Sequence, residues 1–234
     1  MIHSLTRTNK TSYHQNGSRF RTLPRPLPEL VVEQTGSGRF YVTPEGNRYR
    51  SVTTFLGSLP KEPYLIEWAA RVGETYANKI KSQGANRGSR LHNNVENYLL
   101  GNEVVINNPL DKMLFSNLVP FLNRIDNIIA MEAPLYSDEL QLAGRCDLIA
   151  TVDSIPYIID FKTATQQKEI PKEYWLQTTA YSIMFAERTG INIPRLCIAA
   201  SSDDGHFQEQ YSETAQWEQK LKKLLEKHPS QRIL

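Results

Sequence analysis

The sequence predicts an α/β or α+β sandwich in which a mixed central sheet is flanked by helices, and three observations carry that expectation. Helix-period segments come first, a block of short β-prone runs follows, and a helix, two strands and a last helix close the chain. With 40% hydrophobic residues in a length of 234, one domain with a substantial core is expected. No internal repeat or Gly-rich phosphate loop interrupts this order.

Residues 1–37 read as a flexible basic N-terminal arm, because Arg7, Lys10, Arg19, Arg21 and Arg25 occur without an acid in residues 1–28 and prolines stand at 24, 26 and 28. The domain is expected to run from 38 to 234. It opens with a hairpin signal, two β-prone runs around Pro44-Glu45-Gly46-Asn47. Residues 63–82 predict a helix beginning at Pro63, and 85–100 a second helix with Leu91, Val95, Tyr98 and Leu99 on one face and a stop at Gly101. A third helix is expected over 110–129, kinked at Pro120.

Strands are then expected at 131–137, 142–152 and 157–163, the last two joined through Asp153-Ser154-Ile155-Pro156. A helix over 171–189, strands at 195–201 and 206–212 and an amphipathic helix over 213–227 complete the pattern. Asp203-Asp204-Gly205 reads as the turn between the two late strands.

Composition excludes several classes. Cys146 and Cys197 are too few for a four-cysteine zinc or iron-sulfur site and lie in apolar runs, as buried free thiols do. No apolar run approaches the ~20 residues that cross a bilayer, so a soluble protein with no membrane partner is expected. A net charge of +2 gives no reason to expect a uniformly basic surface.

The chemistry is concentrated in residues 144–163, GRCDLIATVDSIPYIIDFKT. Strand alternation puts Asp160 and Lys162 on one face while Phe161 points into the core. A hairpin turning near 153–156 sets Asp147 opposite Asp160, so two carboxylates converge beside one amine. A divalent cation with oxygen ligands neutralises such a pair, and Mg²⁺ or Mn²⁺ suits hard carboxylates. His92 and Glu96, at i and i+4 on a helix, border its apolar stripe.

His92, Glu132, Gly144-Arg145-Cys146-Asp147, Asp160-Phe161-Lys162-Thr163 and Gln177-x3-Tyr181, in that order, resemble the PD-(D/E)XK nuclease superfamily, specifically RecB-like exonucleases of the phage-encoded and mitochondrial genome maintenance type. The resemblance spans about residues 87–181. It implies an α/β restriction-endonuclease-like core and a Mg²⁺- or Mn²⁺-dependent deoxyribonuclease, an exonuclease acting on DNA that is single-stranded or has free ends. It further implies that Asp147, Asp160, His92 and the main-chain carbonyl of Phe161 ligate the metal. Lys162 would orient or activate the attacking water, and Glu132, Gln177 and Tyr181 would complete the catalytic set. Arg87, Arg90 and Arg145 are the residues expected to hold nucleic acid, the first two on the opening turn of the His92 helix. The name-giving Pro-Asp pair is absent, since Asp147 follows Arg145-Cys146.

A role in phage or cellular DNA replication, recombination or repair is the corresponding expectation. The cytoplasm of a bacterium or phage-infected host is expected ahead of the mitochondrial matrix. The rival readings are a structure-specific endonuclease and a catalytically inactive DNA-binding module of the same fold.

Overall fold

The computed structural model describes residues 11–13, 23, 26–60 and 63–229. The chain runs β1 (Thr11–Tyr13), β2 (Val31–Thr35), β3 (Gly38–Val42), β4 (Arg48–Ser51), α1 (Val52–Ser58), α2 (Pro63–Val72), α3 (Glu74–Leu99), β5 (Val104–Ile106) and α4 (Pro109–Leu122). It continues with β6 (Ile125–Ser137), β7 (Leu142–Val152), β8 (Ile155–Ala164), α5 (Lys172–Thr189), β9 (Arg195–Ser202), β10 (Phe207–Glu213) and α6 (Thr214–Lys227). The main sheet has eight strands in the order β10-β9-β8-β7-β4-β3-β2, with β6 also on β7. Two pairings, β4 with β7 and β8 with β9, are parallel, so the sheet is mixed as expected.

Alternation along the strands divides the apolar residues between two cores. Ile158, Leu196 and Ile198 pack with Trp175, Ala180 and Phe185 of α5, Phe55 of α1 and Leu221 of α6. On the other face Ile159, Phe161 and Cys197 pack with Leu91 and Val95 of α3 and Leu114 and Phe115 of α4. Both cysteines are buried and free.

The feature that makes a site is a fork in β7. Along one edge β7 pairs with β6. Along the other it pairs with β8 only from Leu148 to Val152, and with β4 only at Leu142 and Ala143. Residues 144–147 therefore have a ladder on one side alone, and the gap between the diverging strands is open to side chains. The β7–β8 turn sits at Asp153 and Ser154, both with positive φ (51° and 67°), the conformation of a tight two-residue hairpin turn.

Several boundaries differ from the sequence reading. Helices expected at 63–82 and 85–100 instead break at Gly73, whose φ of 84° only glycine adopts without cost, and α3 continues through Gly84 and Gly88. The helix expected to reach 129 ends at Leu122, and Pro120 lies in its last turn rather than at a kink. The following IDNIIA is strand because its pairing with β7 outweighs its helical spacing. Helix α1, capped by the Ser51 hydroxyl accepting from the Thr54 amide, follows directly on β4. Strand β2, within residues assigned to the arm, pairs with β3. The five basic residues of the arm lie outside the described residues. Among the described residues no helix is long and apolar enough to cross a membrane.

Candidate active site

Asp160 and Lys162 leave β8 on the same face, toward α5, and the Lys162 Nζ lies 2.5 Å from Asp160 Oδ2. Asp160 is 1% exposed. Its other oxygen, Oδ1, accepts from Gln177 Nε2 at 2.8 Å, and the Gln177 Oε1 in turn accepts from Lys162 Nζ at 3.4 Å. Among the described residues Oδ2 itself has only the ammonium as a partner.

Asp147 sits in the forked stretch of β7, and the register Leu148–Ile159 puts it opposite Asp160, as the sequence symmetry about the turn implied. The main-chain ladder stops there, and the Phe161 amide donates instead to Asp147 Oδ2 at 3.0 Å. The Phe161 carbonyl lies 2.8 Å from His92 Nε2, within hydrogen-bond distance. His92 Nε2 is also 3.6 Å from Asp147 Oδ2.

Glu132 approaches from β6. Its φ of 47° is left-handed, a conformation costly for a side chain that is not glycine, and it interrupts the β6–β7 ladder between Met131–Leu148 and Ala133–Cys146. Ligand atoms of His92, Glu132 and Asp147 all fall within 4.8 Å of one another. Strain stored at a site residue is consistent with a backbone held there by its surroundings.

The charges are poorly balanced. Burial pushes the Asp160 carboxyl up to about 6, a shift that Lys162 opposes and Asp147 reinforces. For Lys162, burial alone would depress the ammonium, but Asp160 and Asp147 outweigh it and raise its pKa. The two rise for different reasons, the carboxyl because it is buried and the ammonium because two carboxylates face it. The ammonium is retained, and carboxylate charge remains in excess. Glu132 is raised too, first by burial and then by Asp147, against the pull of His92 and Arg145.

That excess is the test of fit for a divalent cation. An imidazole and two carboxylates can converge, a buried carboxylate oxygen has a single partner, and a main-chain carbonyl points at the same imidazole nitrogen. These donors fit a hard or borderline cation of the Mg²⁺ and Mn²⁺ kind.

Helix α5 closes the site from the far side. Gln177 and Tyr181 are both buried and face it, joined by Tyr174, which the sequence reading did not single out. Tyr174 places its ring centroid 4.8 Å from Lys162 Nζ, and its spacing from Gln177 and Tyr181 on one helical face was the available signal. Tyr181 lies so close over β7 that a Cβ at residue 144 would stand 2.8 Å from its Cε1 and 2.9 Å from its hydroxyl. Glycine is required there by the approach. Gly144→Ala is accordingly expected to lower stability by about 1–3 kcal/mol, read as a fall in Tm, and to displace Tyr181 from the site with loss of activity. An unchanged Tm would show that the ring can yield.

Arg87 and Arg90 are not on an opening turn. Helix α3 begins at Glu74, so the dipole argument for a phosphate at its N-terminus does not apply to them. Arg87 pairs with Asp203 at 2.5 Å and Arg90 with Asp111 at 2.6 Å. The Asp203-Asp204-Gly205 segment is a turn, with Gly205 at φ 86°, and it holds Arg87 as well. Both arginines still line a cleft of about 640 Å³ with Lys162, Lys168 and Tyr174. A second cleft of about 420 Å³ contains His92, Glu132, Arg145, Asp147, Gln177 and Tyr181, and Lys162 lines this one also. Arg145 is 3.9 Å from Glu132.

Two diverging strands that deliver an Asp and an Asp-x-Lys to one buried point, under a helix histidine, define a class: metal-assisted hydrolytic sites of the nuclease type. The chain matches the model of the PD-(D/E)XK nuclease superfamily over residues 58–234 and belongs to that superfamily. Among solved structures it is similar to one described as "Crystal structure of SSO0001", at 16% identity over 75% of this chain and 81% of that one, with a TM-score of 0.33. No curated protein matches it.

Proposed function

We propose that this protein is a Mg²⁺- or Mn²⁺-dependent DNA exonuclease that takes a single strand by its free end. The observation that carries the reading is the fork of β7, which gathers Asp147, Asp160 and Lys162 at one point between two clefts. His92, Glu132 and Asp147 would hold the cation, with Asp160 and the Phe161 carbonyl as adjoining donors. A bound divalent cation supplies Lewis acidity, lowering the pKa of water and offsetting charge on the scissile phosphate.

The protein's own groups do the rest. Lys162, anchored by Asp160 and Gln177, lines both clefts, where its ammonium would orient the attacking water and meet negative charge that develops on the phosphate. The water oxygen would add to phosphorus as the P–O bond to the leaving strand breaks, the water giving up one proton to solvent and the departing oxygen taking one from it.

Support for threading comes from α3. Ser89, His92, Asn93 and Glu96 line one cleft and Gln83, Arg87 and Arg90 the other, so the helix rides above β8 with an opening on each flank. Lys162 is common to both. Two narrow clefts that meet at one lysine would suit a flexible strand better than a duplex, and their basic residues would hold phosphates without reading bases.

Covalently closed single-stranded circles are expected to resist digestion under conditions that degrade the same molecule after linearisation, and binding should weaken steeply with salt. Gel assays on matched circular and linear substrates decide this. Circles cut as fast as linear strands would reject threading and favour the structure-specific endonuclease.

A further inference from the structure

A second kind of groove lies on the far side of α5 from the site. Leu176, Trp217 and Leu224 form its floor, and Lys220, Lys223 and Lys227 stand around it, with no acidic residue among the described residues that line it. Its volume is about 340 Å³, enough for one large side chain. At ~100° per residue, Lys172 and Leu176 lie on the opposite side of α5 from Tyr174, Gln177 and Tyr181. The groove shares no lining residue with either cleft at the site.

The lysines of α6 at 220, 223 and 227 recur on one helix face, so their ammonium groups rim the same side of the floor. Elsewhere on this helix the charge is neutralised: Lys222 is bound by both Glu139 and Glu218. Lys220, Lys223 and Lys227 have no ion pair among the described residues. We propose that this groove binds a short acidic peptide segment of a partner protein, with an aromatic or branched aliphatic side chain seated on the floor and flanking carboxylates on the lysine rim.

Charge complementarity selects an anion, and the apolar floor selects between anions. A phosphodiester backbone has nothing to fill a pocket of Leu176, Trp217 and Leu224. A base stacked on Trp217 would leave the Leu176 and Leu224 parts of the floor unfilled. A peptide that alternates acid and apolar groups matches both parts. Because the groove lies away from Lys162, occupancy would tether the enzyme without closing its site.

The test uses the full chain and three fluorescein-labelled pentapeptides, Asp-Asp-Phe-Asp-Asp, Asp-Asp-Ala-Asp-Asp and Lys-Lys-Phe-Lys-Lys, with a labelled single-stranded 20-mer read in parallel by anisotropy. The first peptide is expected to bind, its alanine counterpart about tenfold more weakly, and the basic peptide not at all. In the triple variant Lys220→Ala, Lys223→Ala, Lys227→Ala its affinity should fall about tenfold, with Tm and nuclease activity retained. Equal binding of the first two peptides would reduce the groove to a nonspecific charge patch and overturn the proposal. So would loss of 20-mer binding in the triple variant with no peptide binding by the parent, which assigns the rim to nucleic acid. Peptide binding that emerges only after residues 230–234 are removed would assign the groove to the chain's own end. Loss of nuclease activity in the parent protein would leave this test unaffected.

Discussion

Lys162→Ala is expected to reduce single-turnover hydrolysis of single-stranded DNA by about 10³-fold while DNA affinity stays within about twofold. The asymmetry follows from position. The Lys162 ammonium is fixed by Asp160 and Gln177 at the point common to both clefts, so it acts where charge changes during the reaction rather than along the length of the strand. The variant also leaves Asp160 buried without its counterion. Stripping one partner from a buried pair costs about 3–5 kcal/mol, and the carboxyl, already raised to about 6, offsets part of that by taking up a proton. Tm must therefore be read beside the rate. A folded variant that cleaves at nearly the parental rate would remove Lys162 from the chemistry and take the proposed mechanism with it.

Asp147→Asn and Asp160→Asn are each expected to abolish cleavage and to weaken Mn²⁺ binding on the order of 10- to 100-fold by calorimetry, with a chelator reproducing the inactivity in the parent. The two should differ in the metal-free protein. Asp147 adds to the charge that raises both Glu132 and Asp160, so neutralising it relieves repulsion, and its metal-free Tm should not fall below the parent's. Asp160→Asn retains the Gln177 contact but deprives Lys162 of its closest partner, and its Tm should fall. Unchanged Mn²⁺ affinity in both variants would reject shared ligation by these acids.

The convergence of Asp147, Asp160 and Lys162 was legible because three local rules agree on it: strand alternation, a turn signal near Asp153, and the symmetry of 147 and 160 about that turn. The face of α3 with Leu91, Val95 and Tyr98 was legible for the same reason, a long periodic stripe. What the sequence hid depends on distant partners. The left-handed backbone of Glu132 coincides with the gap in the β6–β7 ladder, and nothing in MEAPLYS announces it. Residues 125–130 carry helical spacing, and only β7 makes them strand. The ion pairs that occupy Arg87 and Arg90 join residues far apart in the chain, from α3 to a turn and to α4. The need for glycine at 144 arises from a tyrosine on α5.

Helix α3 is an unbroken rod of 26 residues, about 39 Å long, whose outer half is largely uncovered and whose inner half carries His92. Between the halves stand Gly84 and Gly88. Packing does not demand either one, since a Cβ at 84 would meet nothing within 4 Å and one at 88 only the Thr163 hydroxyl at 4.0 Å. Each is a weak link in the backbone, costing about 1 kcal/mol relative to alanine. The rod is thus most compliant at the level of the cleft. A load applied near Lys79 or Lys81 would be absorbed as bending there, so the outer half can flex while His92 keeps its place over Phe161.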